Sequence, residues 1–535
     1  MSRPVIRPSW TVNDMTDSTR PSANDTTPGE PLTRNPDAVR DPGTARWAGT
    51  ARDNGPVNGS WTSFGGDLHL DLTERRAAGA GLRAALEDAL REAVQDGRLA
   101  PGTRLPSSRA LGEDLGIARN TVVEAYGQLT AEGWLNSRQG SGTTVARRAA
   151  PSPAVRPARS PRPRPAVRHD LMPGRPDLSL FPRTAWLAAA RRALATAPHE
   201  ALGYGSPLGR IELREALTHY LARVRGVRTD PDHLLICSGV QQGLGLLCAA
   251  LRERGTRSLA VEAYGLPPQH AVVRAAGLST VALPLDGEGA LVDRLDARCG
   301  AALLTPAHQY PTGSPLSADR RAAAVRWARE QDRYVVEDDY DGEFRYDRQP
   351  LGAMQALDPE RVVYAGTAAK SLAPGLRLAW LALPDALVEP VARLKVLADT
   401  MSPVLDQLTL AELIASGTYD RHVRRCRLHY RRRRDRLVAA LAEHAPHVRV
   451  TGIAAGLHAV LQLPPGSPSE AELAARAAAA GLALSSLGWH RADPTAEVAE
   501  MAEEAGAALV IGYATPPEHA FPAALEALCG VLGAG

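Results

Sequence analysis

The chain has 535 residues, 44% of them apolar and 23% charged, with a formal net charge of +3. Its length exceeds the roughly 150–200 residues of one domain and points to two or three; the ordinary balance excludes a wholly disordered chain, a collagen-like repeat and a coiled coil. No run approaches the ~18 consecutive apolar residues of a membrane span, the N-terminal residues carry no signal-peptide core, and five scattered cysteines, none in a Cys-x-x-Cys pair, fit a reducing cytoplasm better than a disulfide framework or a structural zinc site.

Of the 62 basic residues only Lys370 and Lys395 are lysines. A chain that supplies its positive charge with arginine retains a lysine where an amine, not a charge, is needed. The neighbours of Lys370 support that reading; Lys395 reads as a chance survivor of GC-rich codon usage.

Residues 1–63 are rich in Pro, Thr, Asn, Asp, Arg and Gly without an apolar period and read as a disordered leader. In the block over 64–148, Leu82, Ala85, Leu86, Ala89, Leu90, Ala93 and Val94 share one helical face. Gly97 and Pro101 end that helix. Ser107 caps a short second helix carrying Ala110, Leu111 and Leu115, and Gly116 turns into a third that opens near Arg119. Two short helices about a glycine turn make a helix-turn-helix, whose second helix offers its N-terminal side chains to base edges. Arg119 suits guanine and Asn120 adenine. Strand-like runs at Trp134–Ser137 and Thr143–Val145 flank a glycine-rich tip over 138–142, where Arg138 suits phosphate or the minor groove. Seven arginines against four acids from Arg98 to Arg148 give the local basic surface of a DNA reader.

Residues 149–169 alternate proline with arginine and read as an extended, semi-rigid tether. Over 170–535, strand-like runs at Leu234–Cys237, Ser258–Glu262, Ala301–Thr305, Tyr334–Glu337 and Val362–Tyr364 alternate with helical segments. That alternation predicts an α/β domain around a largely parallel sheet, with ligands at its strand ends. Three motifs stand there. Ser238-Gly239-Val240 precedes an apolar helix whose N-terminal amides suit a phosphate. Glu337-Asp338-Asp339-Tyr340-Asp341 offers carboxylates for a metal or a protonated pyridine nitrogen, and no further motif supports the metal. Gly366-Thr367-Ala368-Ala369-Lys370, with Arg377 seven residues on, combines an amine able to condense with an aldehyde with a hydroxyl and a guanidinium for a phosphate. Amide cradle, carboxylate, lysine and arginine together meet the needs of pyridoxal 5'-phosphate.

The run PGTRLPSSRALGEDLGIARNTVVEAYGQLTAEGWL with its QGSGT wing resembles the winged helix-turn-helix of the GntR family. That resemblance implies that Arg104, Ser107, Arg109, Arg119, Asn120, Thr121, Arg138 and Gly140 lie at or near DNA. LGYGSPLGRIELREAL, TPAHQYPTG, VVEDDYDGEF and GTAAKSLAPGLRLAW resemble the fold-type I, class I/II aminotransferases. The combination is the layout of the MocR subfamily of GntR regulators, with its GabR and PdxR types, over about 450 residues. The implied architecture is multidomain: an N-terminal winged helix-turn-helix (α+β) and an α/β PLP-dependent transferase fold of the aspartate aminotransferase kind. By resemblance Lys370 is the Schiff-base lysine, and Thr367, Arg377 and the amides of Gly239 and Val240 hold phosphate. Asp338, with Asp339 as the alternative, meets the ring nitrogen and Tyr340 the ring hydroxyl. His308 and Tyr310 line the ring, and Tyr204 reaches the phosphate across a homodimer interface.

Two departures stand out. Where the family stacks an aromatic ring on the pyridine this chain aligns Leu266, so Tyr264 stacks only if its loop shifts. Val510 replaces the arginine that holds a substrate α-carboxylate, and an unpaired buried anion is costly. The expectation is a cytoplasmic, homodimeric regulator of double-stranded DNA that senses pyridoxal phosphate, PdxR-like, and is not primarily an enzyme. The rivals are a GabR-like response to an amino compound, a working aminotransferase with a DNA-binding appendage, and a cofactor-less dimerisation domain. The arginines between Arg421 and Arg436 admit two readings, a solvated or dimer-facing helix and a secondary DNA contact.

Overall fold

The computed structural model describes residues 81–138, 142–147, 167–346, 351–492 and 506–533, together with 62, 63, 67, 68, 70 and 72. The predicted leader up to residue 61, the tether up to residue 166 and the wing-tip Gly140 lie outside the described residues. The described residues fall into two compact units, one ending at residue 147 and the other beginning at residue 167.

The first unit packs α1 (Leu82–Gln95), α2 (Ser108–Leu115) and α3 (Arg119–Ala131) around Leu86, Leu90, Leu111, Val122 and Leu129. Ser107 caps α2 by accepting from the Ala110 amide at 3.2 Å. Gly116 ends the helix at φ 64°, a left-handed conformation that favours glycine. Tyr126 donates its hydroxyl to the Pro106 carbonyl at 3.1 Å, pinning α3 to the start of α2. Arg91 makes a two-point contact with Glu132, joining α1 to the end of α3. The hairpin β1 (Leu135–Arg138) and β2 (Gly142–Val145) is antiparallel, and the segment over 102–105 adds backbone bonds to β2.

The second unit has a seven-stranded sheet. In chain order its strands are β3 (Leu234–Ser238), β4 (Ser258–Glu262), β5 (Ser279–Leu283), β6 (Ala301–Leu304), β7 (Tyr334–Asp339), β8 (Val362–Thr367) and β9 (Leu378–Ala382). Their spatial order is β3-β9-β8-β7-β6-β4-β5. All neighbours run parallel except β9, which is antiparallel to both β8 and β3. Strands β6 to β9 are buried throughout, as expected of strands covered on both faces. A second, four-stranded antiparallel sheet includes β10 (Ala459–Gln462) and β11 (Ala508–Ile511) and packs against the long α4 (Thr418–His444) and the C-terminal α5 (Phe521–Gly533).

The arginines of α4 divide by helical period. Arg433 is buried, bonded to Asp177 at 2.9 Å, to Glu518 and to the Ala514 and Pro516 carbonyls. Arg427 and Arg425 donate to the Glu343 and Leu180 carbonyls, and Arg436 pairs with Glu518. Arg424, Arg431 and Arg432 are exposed. Much of the run is thus internal scaffolding. Removing one partner of a buried ion pair strands the other charge. Arg433→Leu is therefore expected to destabilise the second unit by about 3–5 kcal/mol, read as a lowered thermal midpoint; an unchanged midpoint contradicts this role.

Candidate functional site

The C-terminal ends of the parallel strands face a cavity of about 350 Å³. Because β9 alone runs backwards, its N-terminal end lies at the same edge, with Leu378 opposite Ser238 of β3 and Ala379 opposite Thr367 of β8. Arg377, just before β9, thereby reaches the turn after β3 and donates to the Ser238 carbonyl at 2.5 Å.

Two unusual backbone conformations make this corner. Arg377 sits at φ 55° and Gly239 at φ 90°. A Cβ on Gly239 would lie 2.6–2.9 Å from the Arg377 guanidinium, so glycine is required for the close approach. The following helix α6 (Val240–Glu253) carries Gly239 at its N-cap, and Gly239, Val240, Gln241, Thr367 and Arg377 all line the cavity. Thr367 spends its hydroxyl on the turn itself, donating to the Leu378 carbonyl and accepting from the Ala369 amide.

Lys370 lines the same cavity and donates to the Gly174 carbonyl at 2.6 Å. Burial pushes its ammonium below the usual lysine range, against the opposing pull of Asp338 and Asp341. That shift favours the free amine, the nucleophilic form.

The two adjacent carboxylates of β7 point to opposite sides, as side chains of a strand must. Asp339 is fully engaged: Arg225 donates to both its oxygens at 2.6 and 2.9 Å, and the Tyr364 hydroxyl adds a third bond at 2.7 Å. Asp338 lines the cavity, accepts from Gln269 at 2.6 Å through one oxygen, and leaves the other buried without a partner. Burial pushes its carboxyl up to about 6. An unpartnered buried carboxylate oxygen on a cavity wall fits a cationic N–H donor, as a protonated pyridine supplies. With the lysine amine and the glycine-dependent arginine corner, the residues present fit pyridoxal phosphate.

Tyr310 and Tyr340 also line the cavity. The Tyr340 hydroxyl meets His308 Nδ1 at 3.0 Å, and the same nitrogen lies 2.9 Å from Asp341. The Tyr310 ring packs edge-on against Tyr340, His458 and His490. His308 itself stands behind this wall. Tyr264 is not brought to the cavity: Leu266 lines it instead, while Tyr264 packs against Val460, Leu487, Ala508 and Val510 and bridges to Arg491. The reason is β-strand alternation. Val510 of β11 points to this small apolar cluster, whereas Leu509 and Ile511 face the main core, and the Tyr264 ring covers the cluster. Tyr204 is 84% exposed and lies away from the cavity of its own chain. Gly174, Arg175, Gln269 and Glu262 are among the lining residues that the sequence reading missed. The pair Pro267-Pro268 signals the helix start that carries Gln269, but nothing local tells that Gln269 meets Asp338.

In the first unit Arg104, Arg109, Arg119, Asn120 and Arg138 are exposed, with Thr121 half-buried. Arg109 pairs with Glu113 at 3.0 Å, and Ser107 serves as the cap of α2. Arg104 pairs by its backbone with Thr144 on the hairpin.

Two family models match the chain: bacterial regulatory proteins of the gntR family over residues 82–145, and aminotransferase class I and II over 174–492. The chain is 34% identical to the HTH-type pyridoxine biosynthesis transcriptional regulator PdxR of Corynebacterium glutamicum, across 70% of this chain and 82% of that protein. It is 33% identical to the probable rhizopine catabolism regulatory protein MocR of Rhizobium meliloti, across 69% and 79%. The kynurenine aminotransferase of Pyrococcus horikoshii, solved in complex with PMP, superposes with a TM-score of 0.60 at 25% identity, covering 69% of this chain and 91% of that one.

The raised Asp338 group carries a stability cost. The unfolded carboxyl releases its proton near 3.8 and the folded one near 6, so between those values the folded chain binds more protons and loses stability as pH rises. Asp338→Asn is expected to stabilise the cofactor-free chain by on the order of 2 kcal/mol above pH ~6 and to change nothing below pH ~4. Urea unfolding across that range checks it; a variant less stable than its parent at neutral pH contradicts the assignment.

Proposed function

As the chain belongs to the MocR subfamily of GntR transcription regulators, in which a DNA-binding helix-turn-helix is joined to an aminotransferase-like domain, we propose that it is a homodimer that binds pyridoxal phosphate at Lys370 and takes the cofactor itself as its effector. One observation carries the choice of effector. Val510, at the position where the aminotransferase resemblance implies an arginine for an α-carboxylate, is buried in an apolar cluster with Val460 and Leu487 and packed by Tyr264. An amino acid anion has no counter-charge there.

When bound, the cofactor supplies an aldehyde that condenses with an amine, with loss of water. The chain's own residues do the rest of the binding. Lys370 offers the amine, and Asp338 pairs the ring nitrogen through its open oxygen. Tyr340, backed by His308, donates to the ring hydroxyl, and Tyr310 borders the ring. Arg377 with the amides of Gly239 and Val240 receives the phosphate, and Thr367 holds the shape of the turn. The 34% identity to a pyridoxine biosynthesis regulator supports the same reading.

The dimer is supported by exposed apolar side chains. Leu187 and Leu194 lie on the helix Arg183–Thr196 and Leu405 on Val404–Ala415, which pack together through Arg192 and Glu412. Tyr204 is exposed too, on the loop whose Gly205 amide meets the Met401 sulfur. Exposed apolar side chains of this kind suit an interface, and in the dimer Tyr204 would reach the partner's phosphate corner. For DNA, Arg119, Asn120 and Thr121 open α3 and meet base edges, while Arg104, Ser107, Arg109, Arg138 and Gly140 approach the backbone. An effector regulates only if it binds two arrangements of the readers unequally.

Arg175 on the cavity wall favours the second reading, a GabR-like response, since it offers a guanidinium to an acidic amino compound. Operator affinity of the cofactor-free and reconstituted protein, with and without a panel of amino acids, decides between them. Pyridoxal phosphate alone is expected to change the affinity; a change that needs an amino acid supports the second reading, and indifference to all ligands removes the sensor role. Lys370→Ala should abolish both the borohydride-trapped pyridoxyl adduct and the response while leaving the affinity of the cofactor-free protein intact. Arg119→Ala should cost about 1–3 kcal/mol of operator affinity and relax the base preference at one position.

A further inference from the structure

The chain's other lysine is wholly buried, with 0% of its surface exposed, on the helix Asp385–Asp399. Its ammonium donates to both Asp399 carboxylate oxygens at 2.7 and 2.8 Å, to Ser402 Oγ at 2.9 Å and to Gln242 Oε1 at 3.2 Å. These acceptors surround a point, which suits a compact ammonium and not a planar guanidinium fork. Chance survival is therefore the wrong account of Lys395.

The network leads to the arginine corner. Gln242 lies in the first turn of α6. Its Oε1 accepts from the Ser238 amide at 2.7 Å as well as from Lys395, and its Nε2 donates to Asp399 at 2.6 Å, so the amide has one orientation. Ser402 in turn donates to the Ile236 carbonyl of β3 at 3.1 Å. Residue 238 is thus held from both sides: its N–H by Gln242, its C=O by Arg377. The Gly239 turn and the first amides of α6 hang on that fixed residue.

We propose that Lys395, acting through Gln242, is a positioning residue for phosphate recognition: it sets the turn at Ser238 and Gly239 on which Arg377 and the α6 amides converge. The proposal rests on the cofactor reading above and adds to it a residue that touches no ligand. It implies a selective defect, since a loosened phosphate corner costs affinity only for a ligand that carries a phosphate.

The test compares pyridoxal 5'-phosphate with pyridoxal, titrated into the full-length protein, Lys395→Met and Gln242→Leu, and read from the visible absorbance of the bound ligand. Both variants are expected to bind the phosphorylated form at least about tenfold more weakly, while affinity for pyridoxal stays as in the parent. In the background Arg377→Met, the further loss from Lys395→Met should largely vanish, because the two act on one group. Equal losses for both ligands mean a general structural role and overturn the proposal, as does no loss for either. Gln242→Leu leaves the ammonium paired with Asp399 and Ser402, so it decides the matter if Lys395→Met does not fold. Failure of the parent to bind either ligand overturns the cofactor reading itself and this proposal with it, an outcome distinct from a parent that binds and variants that show no selectivity.

Discussion

One antiparallel strand governs the second unit. Were β9 parallel to its neighbours, Arg377 would lie at the far edge of the sheet, a strand length from Gly239. Reversed, β9 brings its start to the edge where β3 and β8 finish, and a guanidinium, a helix N-terminus and a threonine turn meet within one corner. The close approach requires a residue without a Cβ at position 239 and accepts a left-handed backbone at Arg377. Such conformations persist where surrounding contacts over-determine them, and the bond from Arg377 to the Ser238 carbonyl is one of those contacts.

A second constraint divides labour among carboxylates. The period of the strand separates Asp338 from Asp339, and burial makes each expensive as an anion. Asp339 meets that cost with Arg225 and Tyr364 and becomes structural. Asp338 is left partly unsatisfied, with Gln269 as its one bonded neighbour and an oxygen open toward the cavity. A group that destabilises the empty fold is one that a cationic ligand can relieve, which is how binding sites and stability come to oppose each other.

Much was legible in the sequence where the signal is local. Ser107 as a cap, Gly116 as a turn, the apolar face of α1, and the spacing of Thr367, Lys370 and Arg377 all follow from short-range rules, and the structure places them accordingly. What was not legible depends on distant partners. Gln269 meets Asp338 across 69 positions, Arg225 meets Asp339 across 114, and Lys395 meets Gln242 across 153. Tyr264 was ambiguous for the same reason: its position depends on which face of β11 carries Val510. The arginine run on α4 misled by composition, because the same residue type serves as a buried anchor at Arg433 and as a solvated charge at its immediate neighbour Arg432.

The apolar plug around Val510 bears on what a cell could learn from such a receptor. Free amino acids are abundant, and any of them can exchange with a lysine-bound aldehyde if held long enough. Valine at position 510 offers their carboxylates no counter-charge, so encounters end in departure sooner than in exchange. On the cofactor-sensing reading, that missing counter-charge insulates the signal: occupancy tracks vitamin supply and stays blind to nitrogen status.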